Sequence, residues 1–125
     1  MKDKRTANDN TVTRARGVVE GLLLEVSPMA KKAGIPYPVF ITKRVHENCI
    51  ASKKASQQMQ LLQDLMVTLH FTLAHAEPGQ KRIEMIFVAE QSKSPSDLFH
   101  LEVVCAPLEK HIPIPAITII LPGEA

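Results

Sequence analysis

At 125 residues, 45% apolar and 22% charged, the chain has the composition of an ordinary globular domain, which sets aside disorder and membrane insertion as default classes. A domain of this length buries about two thirds of the surface its unfolded chain exposes, so it can hold a core without a metal or a disulfide. The net charge of +2 hides an asymmetry, with residues 1–16 at +3, residues 31–54 at +5 and residues 55–125 at −4; such a distribution can steer a nucleic acid or an acidic protein, and it also suits a solvated surface.

In chain order, residues 1–16 lack apolar periodicity and read as a basic flexible tail, followed by a single domain over residues 17–125. Val18 to Val26 is β-branched at both ends and reads as a first strand, with Gly21 as a bulge. Ser27 before Pro28 predicts a helix N-cap, and Gly34 sits where a glycine would close that helix. Ile35 to Pro38 must be extended, because each proline pushes its predecessor out of the α region. It leads into a short strand at Val39 to Ile41. Thr42 then caps a helix starting at Lys43, with Val45, Cys49 and Ile50 on its inner face.

Ser56 to Glu77 carries the strongest helical pattern, with Met59, Leu62, Leu65, Met66, Leu69, Leu73 and Ala76 at three- and four-residue steps. Leu61 and Phe71 widen that stripe and predict packing across a sheet or against two neighbours. Arg82 to Glu90 alternates as a half-buried strand, with Ile83, Met85, Phe87 and Ala89 inward and Glu84 and Glu90 outward. Residues 91–96 read as a loop, and Leu98 to Cys105 alternates again with His100 and Glu102 outward. Ala116 to Leu121 is apolar on both faces, as a central or doubly covered strand is, and Pro115 and Pro122 flank it as guards against edge pairing. The order β-α-β-α-α-β-β-β predicts an α+β fold: a mostly antiparallel sheet with a C-terminal three-stranded meander and helices packed on one face.

The chemistry-bearing residues form no phosphate loop, nucleophile elbow or zinc spacing, so no cofactor or metal is expected. Cys49 and Cys105 lie far apart in apolar contexts and read as buried hydrophobes. His46, Glu47 and Cys49 fall within one helical turn, but His46 and Cys49 share a face only loosely. His70 and His75 point about 140° apart at 3.6 residues per turn, so they cannot chelate one ion alone. His100 and Glu102 share a strand face that could serve acid–base work or simply meet solvent.

The basic pairs Lys31-Lys32, Lys43-Arg44 and Lys53-Lys54 recur at about eleven-residue intervals beside Tyr37 and Phe40. If they converge, they form a surface that attracts phosphate or an acidic partner; paired basics at helix ends are also routine. Lys31, Lys32, Tyr37, Lys43, Arg44, Lys53 and Lys54 are therefore the candidate binding residues. No stretch approaches the roughly 20 apolar residues that span a bilayer, and the start has no apolar leader, so no membrane partner is expected and the chain reads as cytoplasmic.

The stretch Leu24-Glu-Val-Ser-Pro-Met-Ala-Lys-Lys-Ala-Gly-Ile-Pro-Tyr-Pro-Val39, with Thr42-Lys-Arg-Val45 and Glu47-Asn-Cys49, resembles an uncharacterised family of small single-domain bacterial proteins carried on plasmids and integrative elements. The ending, Leu101-Glu-Val-Val-Cys-Ala-Pro107 with Ile117-Thr-Ile-Ile-Leu-Pro-Gly-Glu124, is similar to that family's closing motif. The family pattern has Gly after the Cys and a Trp in the helices, where this chain has Ala106 and no Trp. The resemblance implies a mobile-element setting and no catalytic residues. The expectation is a non-enzymatic protein-binding module whose partner is a host or plasmid protein, with inhibition of a host defence system as one form of that activity. A nucleic-acid-binding accessory protein using the basic N-terminal half and a small enzyme with an unrecognised site stand as alternatives, and a homodimer stays open.

Overall fold

The apolar alternation of the last third of the chain produces the three antiparallel strands on which the rest packs. The structure is a computed structural model that describes residues 21–51, 54–77, 79–88, 98–109 and 112–124. In chain order it runs β1 (Leu23–Glu25), α1 (Ser27–Lys32), β2 (Val39–Thr42), α2 (Lys43–Val45, continuing through His46–Ile50), α3 (Ala55–Ala74), β3 (Arg82–Val88), β4 (Leu98–Glu109) and β5 (Ile112–Ile120). The sheet order is β1-β2-β5-β4-β3, antiparallel throughout except for the parallel pair β2–β5. The chain is therefore an α+β fold with a C-terminal meander. Ala116 to Ile120, read as apolar on both faces, is fully buried in the middle strand.

One face of the sheet carries the helices. Ile83, Met85 and Phe87 of β3, Leu101 and Val103 of β4, Ile117 and Ile119 of β5, and Val39 and Ile41 of β2 share one core with Ala30 of α1, Val45, Cys49 and Ile50 of α2, and Leu61, Leu65, Met66 and Leu69 of α3. Of the predicted inner positions of α3, Met59 is 59% exposed, because the stripe that reaches the sheet begins at Leu61. Phe71 is 60% exposed, so this helix has no second neighbour on that side among the described residues. None of the described helices is long and apolar enough to cross a membrane.

Local chemistry sets the joints. Ser27 is the first residue of α1 rather than its cap; its hydroxyl accepts from the Val39 N–H at 3.0 Å and donates to Glu25 Oε2 at 2.9 Å, tying the helix start to β2. The helix closes as predicted at Gly34, at φ +94: Ile35 N–H donates to the Ala30 carbonyl and Gly34 N–H to the Lys31 carbonyl, while Ile35 is buried beneath. Gly21 lies in a turn ahead of β1 rather than in a bulge, and residues 18–20 of the expected first strand fall outside the described residues. Thr42 caps α2, its Oγ1 accepting from the Val45 N–H at 3.2 Å. The same hydroxyl donates to Glu124 Oε1 at 2.9 Å, and that oxygen also accepts from the Leu121 N–H at 2.8 Å. After its first turn α2 widens, with Ala51 N–H donating to the His46 carbonyl at 2.8 Å five residues back, and Cys49 and Ile50 stay buried.

Two predictions follow from these joints. Thr42→Val keeps the shape but removes both hydrogen bonds of the cap, so the urea midpoint should fall by the equivalent of about 1–2 kcal/mol. Burial pushes the Cys49 thiol up from 9.0 to about 11. The folded state therefore keeps a proton that the unfolded state releases: this contribution is whole below pH 9 and is lost as pH rises to 11, at about 1.4 kcal/mol per pH unit. Urea titrations of the native protein should show a steeper loss of stability across that window than those of Cys49→Ala.

Candidate functional site

Each edge of a sheet presents unpaired backbone groups, and this fold treats its edges differently. The phase of the ladder follows from two hydrogen bonds. Cys105 N–H donates to the Lys81 carbonyl at 2.8 Å, so the odd residues of β3 and β4 bond each other. Ile117 N–H donates to the Pro38 carbonyl at 2.9 Å, so the odd residues of β5 turn toward β2. Beyond Lys81 and Pro38, β4 and β5 continue as a two-stranded arm in which Pro107 faces Pro115. The odd positions Pro107 and Pro115 place their missing N–H on the outer sides of that arm, where no ladder bond among the described residues is lost. Pro115 thus guards an edge from inside β5, not from its flank as expected, and Pro122 lies in the turn after the strand.

Among the described residues the remaining edges are β1, of only three residues, and β3, of seven. By the ladder phase, Arg82, Glu84, Ile86 and Val88 direct their N–H and C=O away from β4. The Arg82 carbonyl is capped by the Gln80 side chain at 3.1 Å. No proline, lysine or bulge interrupts Glu84 to Val88, and the side chains of Ile86 and Val88 are 54% and 52% exposed. A long, regular, apolar edge of this kind is a template for strand addition.

Beside this edge, on the sheet face opposite the described helices, lies a shallow groove of about 230 Å3 lined by Glu84 and Ile86 of β3, His100 and Glu102 of β4, and the Pro122–Gly123 turn. Its volume is below the roughly 300–1,000 Å3 of sites for drug-sized molecules. Glu84 stands directly opposite Glu102. Like charges so placed repel; Arg82 relieves one of them, its Nη1 donating to Glu102 Oε1 at 3.2 Å. Among the described residues no cation pairs with Glu84. His100 faces Ile86 across the ladder and is exposed. The groove leaves Glu84 and His100 exposed to water and Glu102 partly so, where charge interactions are screened; it suits docking of a side chain better than a water-excluded reaction.

Of the sequence-predicted binding residues, Lys31-Lys32 and Lys54 stand toward opposite ends of α3. Lys31 and Lys32 are exposed at the end of α1, and the adjoining Gly34 packs on the His70 ring near the end of α3. Lys54 is exposed at the start of α3, sixteen residues before His70, or about 24 Å along the axis at 1.5 Å per residue. Lys43 and Arg44 are exposed in the first turn of α2, Tyr37 is exposed in the loop before β2, and Lys53 lies outside the described residues. Cys49 is buried and Cys105 half-buried, both as free thiols, with burial pushing Cys105 up as well. His70 packs against Gly34, whereas His75 Nδ1 lies 2.8 Å from the Phe71 carbonyl. Among the described residues no group of three His, Cys, Asp or Glu could hold a metal ion.

Sequence reasoning named the outward parity of Glu84 but passed over Ile86 and Val88. Two large apolar residues on the solvent parity of an otherwise alternating strand were the available signal. Against known protein families, curated proteins and solved structures the chain has no match, so the geometry alone carries the functional reading.

Proposed function

We propose that this chain is a non-enzymatic protein-binding module that takes an extended segment of a partner protein as an added strand on β3. The single observation that carries the reading is the edge: outward backbone groups at Glu84, Ile86 and Val88, two exposed apolar side chains, and none of the devices that close the neighbouring arm. Main-chain hydrogen bonds would supply affinity and the alternate side chains specificity. The sequence resemblance to plasmid-borne proteins supports a host or plasmid protein as the partner, and capture of a segment from a defence protein is one activity it would serve. The nucleic-acid reading draws less support, because the basic pairs at Lys31-Lys32 and Lys54 stand toward opposite ends of α3.

Ile86→Pro tests the reading directly. The N–H it removes points to the open edge and takes no part in the β3–β4 ladder, so the fold should survive with a urea midpoint close to that of the native chain. Peptides selected from a display library on the native protein should lose at least tenfold in affinity for this variant. Undiminished binding of every selected peptide would sink the proposal.

A further inference from the structure

Among the groups at this edge, Glu84 has an unmet electrostatic requirement. It faces Glu102 across the ladder, and the one described cation within reach, Arg82, is spent on Glu102. Two positions further along the same face stands Ile86 and two beyond that Val88, both more than half exposed. A strand added to β3 pairs with these even residues, so its alternate side chains fall beside Glu84, Ile86 and Val88 on the face opposite the described helices. The groove between Glu84, His100 and the Pro122–Gly123 turn gives a long side chain room beside the Glu84 carboxylate.

A second copy of this chain does not meet these requirements. Two β3 edges pair antiparallel with even residues opposite even residues. In the register that sets Glu84 against Arg82 of the second copy, Ile86 falls opposite Gln80, and that Arg82 is already bonded to its own Glu102. In the register that sets Ile86 against Ile86, Glu84 falls opposite Val88 and keeps its unpaired charge. Neither register covers the apolar pair and neutralises the carboxylate together.

Resting on the protein-binding reading above, we infer that β3 selects an extended segment of a different protein in which a lysine or arginine meets Glu84 and apolar residues two and four positions away cover Ile86 and Val88. Glu84 supplies the charge selectivity of the edge, and the exposed backbone supplies binding that is indifferent to sequence.

The test uses the full chain and two fluorescently labelled peptides, Val-Thr-Val-Thr-Lys-Thr-Val-Thr-Val and the same sequence with Glu at its centre, measured by anisotropy at low salt. The lysine peptide should bind native protein about five- to tenfold more tightly than the glutamate peptide. The preference should reverse for Glu84→Lys, shrink at high salt as exposed charges are screened, and disappear with all binding for Ile86→Pro. Equal affinities for both peptides, each lost in Ile86→Pro, would overturn the charge inference and leave the edge reading standing. Binding that persists in Ile86→Pro, or no binding of either peptide to native protein, would remove the edge reading and the inference with it. Sedimentation showing a dimer of the native chain that Ile86→Pro dissociates would assign the edge to a second copy and overturn the inference.

Discussion

A strand's two-residue period sets both where a side chain points and where its backbone N–H and C=O point, and in β3 these two alternations lock in one phase. The odd residues Ile83, Met85 and Phe87 face the core and bond β4; the even residues Glu84, Ile86 and Val88 face away from the helices and leave their backbone groups outward. Had the ladder run in the other phase, the outward backbone groups would belong to the buried residues, and an added strand would pair opposite positions whose side chains are lost in the core. Here the positions that offer hydrogen bonds also display the side chains that would discriminate among partners. The core fixes this phase, because a slip of one residue would turn Met85 and Phe87 into solvent.

The same period explains why prolines are tolerated in β4 and β5. A proline in a central strand removes a ladder bond. Pro107 and Pro115 avoid that cost because they occupy odd positions beyond the ends of β3 and β2, so their missing N–H takes no part in the described ladders. Among the described residues, prolines interrupt the arm, β1 has three residues, and the seven residues of β3 carry no such device from Glu84 to Val88. A monomeric domain gains nothing in stability from an open apolar edge and incurs an aggregation hazard. The exposure of Ile86 and Val88 at that position is what the proposed docking would use.

Local rules were the legible part of the sequence. The cap at Thr42, the glycine closure at Gly34, the inner face of α2, that of α3 from Leu61 onward, and the alternation of β3 and β4 all depend on neighbours within a few residues, and the structure contains each of them. Non-local relations were not legible. The alternation read from Leu98 stops at Cys105, whereas β4 runs on to Glu109 through Pro107, whose tolerance depends on where β3 stops, which no local pattern records. Phe71 was assigned to the packed stripe by its spacing, yet it stands on the outer side of α3, and whether that side has a neighbour is a property of the whole fold. Helix α3 also carries a single formally charged residue, Asp64, among its twenty. The basic pairs follow the same logic: an eleven-residue recurrence in sequence carries no instruction about distance once a 20-residue helix separates the ends.

The groove's far wall connects the candidate site to the fold's closure. The Pro122–Gly123 turn is held because Glu124 Oε1 accepts from both the Leu121 N–H and the Thr42 hydroxyl, while Thr42 caps α2. A carboxylate near a helix N-terminus is favoured by the helix dipole, which here offsets the unfavourable placement of Lys43 and Arg44 in the first turn. The interaction that seals the last residues of the chain to β2 and α2 therefore also fixes one side of the groove before any partner arrives. A wall held in advance spares the ordering entropy that a loose turn would lose on binding. The β3 side is equally fixed, since its odd residues are anchored in the core. Preorganisation of both sides would let a short extended segment bind there, as proposed, without the chain rearranging.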